Sequence, residues 1–377
     1  MDRACRLMSY PHPALTAARH AMTETLAAVP DGGAVLLAVS GGSDSMALTK
    51  VAMWAARGRI EVLTTTIDHG LRPESGAEAA AVDRYLQRIV DSSIVTRVSP
   101  QGDDGPEGNA RRARYERIAE IARAGGQMVA SRHAGWDPAG PLAQWTSEPD
   151  APLPVLLGHT SDDQAETVLL GLGRGSGPRS IAGMRRIDAL PDHPDVPMIR
   201  PYLHIRRRDL RVVCRELDLP WIDDPTNAPD GQWRAADGSP LRRSAIRHDI
   251  LPNLDTALGG GVVDALARTA DILRDDDDLL STLALAIGRT AVTSRGGGVV
   301  IDCADLARHP RPLRTRVLRE AVTGVGKKSG ELVYWHVDAL DRLITGEDNK
   351  LHIDLPGAFA RREDDLLYIA PSTAEKP

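Results

Sequence analysis

Two short segments of this chain combine residue types suited to phosphate and cation chemistry. The first is Ser40-Gly41-Gly42-Ser43-Asp44-Ser45. Adjacent glycines permit positive φ and close backbone approach, and the hydroxyls of Ser40, Ser43 and Ser45 can donate to phosphate oxygens. A carboxylate in such a cradle repels phosphate unless a cation intervenes, so Asp44 is expected to contact a Mg2+ bridging a bound nucleotide. A plain helix cap is the competing reading, since Ser and Asp are favoured N-caps. No GxxxxGK[ST] occurs, so the loop is not of the Walker type. The second segment is Gly158-His159-Thr160-Ser161-Asp162-Asp163-Gln164-Ala165-Glu166-Thr167. On a helix Glu166 shares a face with Asp163 at i−3 or Asp162 at i−4. Such a cluster suits Mg2+ or an ammonium group, although acidic residues also favour a first helical turn through the dipole alone.

Both segments must sit at strand-to-helix turns for this chemistry. Residues 35–39 read as a buried strand and 46–56 as a helix, after a leading helix over 14–29. Strands are expected over 61–67, 93–98 and 155–157, an extended segment over 198–203, and helices over 77–90, 110–124, 161–172 and 206–217. This alternation predicts an α/β fold with a doubly wound parallel sheet, whose carboxyl edge meets helix N-termini and their free N–H groups. The catalytic domain is assigned to residues 1–219, with 131–154 a mobile surface insertion rich in proline and glycine. Residues 220–240 read as a long connection. Helices over 243–254 and 262–291 make 220–292 a linker and helical region, in which Asp275 to Asp278 read as a solvated face. Residues 293–377 read as a small α+β domain: a strand from 299, helices over 312–322 and 332–344, and strands over 350–355 and 366–369.

The 377 residues, 42% hydrophobic and 26% charged, suffice for two or three domains. No window approaches a membrane span, and residues 1–15 lack the apolar run of a signal peptide, so a cytoplasmic protein without membrane association is expected. Cys5, Cys214 and Cys303 form no CxxC pair, which argues against a disulfide framework, zinc or an iron–sulfur cluster. The net charge of −6 offers no global attraction to nucleic acid, so any RNA contact must come from local basic clusters.

The S-G-G-x-D-S sequence after a strand resembles the signature of pyrophosphatase-loop ATPases, with an adenine nucleotide α-hydrolase-like fold, which cleave ATP between its α and β phosphates. His159 to Thr167, then Leu169-Leu170, Arg174-Gly175-Ser176-Gly177 and Gly183-Met184, are similar to the hallmark of tRNA(Ile)-lysidine synthetases. That family often has histidine where Thr160 stands. Asp68-His69-Gly70-Leu71-Arg72 falls where members contact the nucleotide base. Glu107, Arg111, Arg114 and Tyr115 match an E-x-x-x-R-x-x-R-Y helix, in which Arg111 would steady the triphosphate or the RNA. Arg200-Pro201, Trp221, Asp223-Asp224-Pro225-Thr226-Asn227 and Leu251-Pro252 extend the likeness, whereas Arg243-Ser244-Ala245-Ile246-Arg247 departs from the family's R-N-R-x-R, and 231–241 reads as an insertion. The likeness spans residues 34–370, strongest in the first 190.

The resemblance implies ligation of L-lysine to C2 of the wobble cytidine of tRNA(Ile) with a CAU anticodon, through an adenylylated tRNA. Ser40 to Ser45, Asp68 and His69 would bind ATP, Asp44 and Asp163 would hold Mg2+, and Asp44, Arg111, His159, Asp163 and Glu166 would be catalytic. The lysine amine, with a reference pKa of about 10.4, must lose a proton, and His159, Asp163 and Glu166 are the candidate acceptors. Arg207, Arg208, Arg243, Arg247, Arg316 and Arg319 would meet tRNA phosphates, solvated helix faces being the competing reading. At 3% aromatic content, stacking would rest on Trp221 or Trp233 alone. A cytidine thiolase of the same loop class is disfavoured by the missing cysteine pair, and a non-catalytic tRNA-binding protein by the intact loop and acidic segment. Nothing in the sequence excludes a homodimer.

Overall fold

A computed structural model describes residues 11–70, 72–99, 101–102, 105–132, 142, 150–175, 177–224, 241–326, 332–347 and 352–372. Contacts group the chain into two units, Met1–Thr167 with Met184–Ala267, and Val168–Gly183 with Arg268–Pro377. In chain order the elements from the N-terminus are α1 (Pro13–Leu26), β1 (Ala34–Ala38), α2 (Ser43–Ala56), β2 (Glu61–Asp68), α3 (Ser75–Leu86), β3 (Ser92–Arg97), α4 (Gly105–Arg132) and β4 (Val155–Leu157). Then come α5 (Ser161–Arg174), α6 (Pro178–Ile181), β5 (Ile187–Leu190), β6 (His193–Ile199), α7 (Arg207–Glu216), α8 (Arg242–Ala245), a π-helical turn (Ile246–Ile250), α9 (Leu251–Ala257) and α10 (Val262–Ala291). The unit boundaries fall inside α5 and α10.

The first unit is organised by a sheet of order β3-β2-β1-β4-β6-β5, parallel except for the edge strand β5, which runs antiparallel to β6. Alternation along β1 shows why helices cover both faces. Val35, Leu37 and Val39 join a core with Met22, Leu48, Val51 and Leu210 from α1, α2 and α7. Ala34 and Leu36 join another with Tyr115, Ile118 and Ala122 from α4. Successive strand residues point to opposite faces, and each fully buried Leu or Val contributes about 1.5–3 kcal/mol. The expected doubly wound α/β fold is therefore present.

Several boundaries differ from expectation. The helix read over 110–124 extends across 105–132, carrying the Gly125-Gly126 pair inside it. β5 has no counterpart in the sequence reading, and β6 overlaps the extended segment expected over 198–203 only at 198–199, because Pro194 and Pro197 suppress a strand signal in its first part. The 131–154 stretch is not wholly a surface insertion: Leu142, Ala151 and Leu153 are buried, Leu142 in the first core and Leu153 in the second. The remainder, 133–141 and 143–149, lies outside the described residues. The connection expected over 220–240 begins as part of the core edge, where Trp221 and Ile222 pack against the first cluster. Residues 225–240, including Thr226, Asn227 and Trp233, are outside the described part.

In the second unit β7 (Val292–Arg295), β8 (Gly298–Asp302), α11 (Cys303–Ala307), α12 (Arg311–Gly326), α13 (Tyr334–Thr345), β9 (His352–Leu355), β10 (Ala358–Glu363) and β11 (Leu366–Pro371) form an antiparallel sheet of order β7-β8-β11-β10-β9 with helices. Ile301, Leu318, Leu340 and Leu367 lie in its core. The acidic run 275–278 sits within the continuous helix α10, and it is not simply a solvated face: Asp277 is buried and accepts from Arg316 Nη2 at 2.6 Å.

Candidate active site

The cradle forms where β1 gives way to α2. Gly41 has φ of 84°, and a Cβ there would stand 2.7 Å from Val82 Cγ2, so a side chain is excluded twice over. Its carbonyl accepts from Ile222 N at 2.9 Å, which fixes the 220–224 segment beside the loop. Ser45 Oγ donates to Gly42 O at 2.9 Å and lies 3.3 Å from Ser40 Oγ. Ser43 Oγ donates to Asp44 Oδ1 at 3.2 Å, and the buried Cys214 thiol, its pKa pushed up to about 12 by burial, donates to Ser43 O. The first-turn amides of α2 have no intrahelical acceptor and present a ready anion site.

The acidic segment lies directly against this loop. A Cβ on Gly158 would stand 3.1 Å from the Asp44 carbonyl carbon, so glycine allows the β4–α5 turn to approach α2. At the start of α5, Thr160 N and Oγ1 both donate to Asp163 Oδ2, at 2.8 and 2.7 Å. The T-x-x-D spacing of a capping box fixes that carboxylate's position. Arg207 then spans the two segments. Its Nε donates to Asp44 Oδ2 at 3.1 Å and its Nη2 to Asp163 Oδ1 at 2.6 Å, with Glu166 3.6 Å from Nη1. Arg247 Nε donates to Glu166 Oε1 at 2.7 Å, and Arg206 holds Asp162 with two bonds of 3.1 and 3.2 Å.

Four carboxylates thus share three guanidinium groups. Burial, supported by the Asp163 charge and opposed by Arg207, raises Asp44 to a pKa of about 6. Asp163 shows the reverse: burial pushes it up, but Arg207, His159 and the Thr160 bonds outweigh that and hold it below the usual carboxylate range.

A basic rim completes the site. Arg111 and Arg114 lie 4.9 and 5.0 Å from the centroid of the buried Tyr115 ring. His159 Nδ1 accepts from Arg200 Nε at 3.3 Å. Burial, then the charges of Arg200, Arg114 and Arg111, keep this imidazole neutral against the opposing pull of Asp163. His69 is lowered to about 4, chiefly by burial and Arg114. Asp68, against the upward push of burial, is held low by Ser75 Oγ at 2.6 Å and Gly70 N at 2.8 Å.

Of the residues singled out by sequence, Ser40 to Ser45, Asp44, His159, Asp163 and Glu166 come together. Arg207 and Arg247, expected on tRNA phosphates, bond the acidic cluster. Arg208 is exposed and Arg243 half-buried, both in this unit, whereas Arg316 and Arg319 belong to the other, Arg316 on Asp277 and Arg319 donating to Leu332 O. Leu71 and the Glu107 side chain lie outside the described residues. Sequence reading missed Thr160 and Arg206 as partners of the acids. The capping-box spacing signals Thr160; nothing local to residues 206–207 signals a partner about 44 residues away. Among the described residues, no group of three or more His, Cys, Asp or Glu side chains is placed so as to hold a metal ion.

Residues 15–139 and 146–254 match the family model of a PP-loop domain, and residues 301–368 match that of a TilS substrate binding domain. Sheet order, cradle and this match define a PP-loop enzyme that uses ATP. A tRNA(Ile)-lysidine synthase of Streptomyces coelicolor is 38% identical over 90% of this chain and 86% of its own length, and one of Thermobifida fusca is 37% identical over 96% and 99%. The chain belongs to the tRNA(Ile)-lysidine synthase family. Among solved structures it is similar to a U34-tRNA thiolase, NcsA from Methanococcus maripaludis, with a TM-score of 0.50 and 13% identity over 69% of this chain and 80% of that one. That likeness is one of fold.

Proposed function

We propose that the protein joins the ε-amine of L-lysine to C2 of the wobble cytidine of tRNA(Ile) with a CAU anticodon, as a cytoplasmic, ATP-dependent ligase. The supporting observation is the contact of the phosphate loop with the acidic turn, Gly158 against Asp44, which brings an anion cradle and an ammonium-binding cluster to one place. Cytidine O2 attacks the α phosphate of ATP, pyrophosphate leaves into the Ser40 to Ser45 loop, and lysine then displaces AMP from C2. Asp44 fits a Mg2+ ligand: it is a hard oxygen donor beside the cradle whose negative charge is under-compensated, and Mg2+ is commonly held by one or two carboxylates together with phosphates. When bound, Mg2+ would spread the charge developing on the phosphates.

His159, accepting at Nδ1 from Arg200, carries its proton on Nε2 and so is no base there, which leaves Asp163 and Glu166 as acceptors for the amine's proton. Residues 1–219 form the catalytic domain in this reading, and residues 293–377 contribute tRNA binding. Incubation with ATP, radiolabelled lysine and total tRNA tests the reaction. Label entering tRNA with release of AMP and pyrophosphate is expected. Sulfur-dependent modification, or no turnover, overturns it.

A further inference from the structure

The second unit exposes its aromatic residues in one place. Trp335, in the first turn of α13, is 73% exposed, and its neighbours Val333 and Tyr334 are 46% and 47% exposed. Water against an indole is unfavourable, and the ring is braced rather than free. Tyr334 packs edge-on to Trp335, ring centroids 5.2 Å apart at 81°. The tyrosine is itself held: Arg311 Nη2 donates to its Oη at 3.2 Å, and Oη donates to Asp338 Oδ1 at 3.3 Å. Arg311 also donates to Asp338 at 2.5 Å, which neutralises an acid three residues on from the tryptophan. Arg342, seven residues on and thus on the same face about 10 Å along the axis, is exposed and makes no ion pair among the described residues.

Trp54 gives the contrast. Its ring carries two cations, the guanidinium groups of Arg19 and Arg57 at 4.5 and 4.8 Å from the centroid, and it is 37% exposed, half as much as Trp335. Among the described residues no cation lies over Trp335. A braced indole with no described group over its face, and an exposed guanidinium about 10 Å away with no ion pair among the described residues, match an unstacked nucleotide, base on the ring and phosphate on the arginine. We infer that Trp335 and Arg342 form a binding site for an unpaired nucleotide of the tRNA, with Tyr334, Arg311 and Asp338 as the brace. The inference rests on the proposed reaction for the identity of the RNA. Residues 301–368, which match the substrate binding domain, include the site.

The test measures tRNA affinity and lysine transfer in the full chain for wild type, Trp335→Ala, Trp335→Leu, Trp335→Phe and Arg342→Gln. Thermal melts confirm that each variant folds. Stacking on a base is worth about 1–3 kcal/mol, so Trp335→Ala and Trp335→Leu are expected to weaken tRNA binding about 5- to 100-fold, while Trp335→Phe stays near wild type. Turnover at saturating tRNA should be unchanged. Arg342→Gln should lower the salt slope of binding by about one. A single-stranded oligonucleotide should compete for the site, and an RNA duplex should not. Wild-type affinity in all four variants overturns the inference. So does full affinity in Trp335→Leu accompanied by altered self-association in light scattering, which would assign the patch to a protein contact. Wild-type enzyme that binds tRNA yet transfers no lysine refutes the proposed reaction and leaves the nucleotide site standing.

Discussion

Both units bury arginine–aspartate pairs, with opposite consequences. In the second unit Arg311, Arg314 and Arg316 meet Asp338, Asp341 and Asp277, charge for charge, and Arg314 holds Asp341 through two bonds of 2.8 and 3.0 Å. Among the described residues of the first unit Arg206, Arg207 and Arg247 serve Asp44, Asp162, Asp163 and Glu166, four carboxylates to three guanidinium groups. Asp44 is the carboxylate of that set whose pKa rises, to about 6, because burial, with the Asp163 charge, outweighs the pull of Arg207. A balanced network braces a fold, whereas a carboxylate to spare suits the Mg2+ ligand proposed for Asp44. The difference lies in the count of partners gathered in space, since both units use the same residue types.

Asp44→Ala should break the comparison most severely. Losing the residue aimed at the phosphates is expected to cut tRNA-dependent pyrophosphate release about 100- to 1,000-fold while the thermal melt stays cooperative. Near-normal ATP consumption would remove Asp44 from the chemistry. Glu166→Gln keeps shape and deletes one charge from a fully buried position. A hydrogen bond to a charged group is worth about 1.5–3 kcal/mol, so the lysine requirement should rise roughly 10- to 100-fold, with adenylylated tRNA accumulating when lysine is limiting. Quenched-flow sampling of labelled AMP on tRNA reads this. Intact ATP binding with no adenylate would reassign Glu166 to the first step. In the balanced network Asp341→Asn should cost stability instead of activity, about 3 kcal/mol, because it strands Arg314. Urea unfolding measures the loss, and unchanged stability would show that the pair is no brace.

The sheet was legible in the sequence because β1 is apolar on both faces and its neighbours alternate with helices. The cradle was legible because glycine, serine and aspartate at those positions satisfy a backbone demand and a chemical one together. Hidden from sequence were pairings across long separations: Arg207 reaches Asp44 across 163 residues, and its Arg206-Arg207-Arg208 run looks like any basic helix start. The same blindness made Asp275 to Asp278 a uniform solvated run, although Asp277 turns inward to Arg316. Thr160 lay between these cases. Where relatives offer histidine its role was open, yet its spacing to Asp163 already carried a capping signal.

The smallest expected effect is the most specific to the comparison, and it opposes the Asp341 prediction in sign. Asp44 binds its proton more tightly when folded, at about 6, than its ordinary value of 3.8. The stability this confers is fully present below about 3.8 and is lost as the pH rises through about 6, because the folded state then holds an ionised carboxylate that it disfavours. Near pH 7.5 the two-unit difference corresponds to at most about 3 kcal/mol at 1.36 kcal/mol per unit. Asp44→Asn removes that ionisation, at the cost of its charged bond to Arg207, so a net gain of about 1–2 kcal/mol is expected without nucleotide or Mg2+. Melts of both proteins at pH 4.5 and 7.5 provide the check. The variant's advantage should appear only at the higher pH, and Mg2+ with ATP should erase it by stabilising wild type alone. An equal gap at both pH values would mean that Asp44 carries no surplus charge, and that the first unit's network is as balanced as the second's.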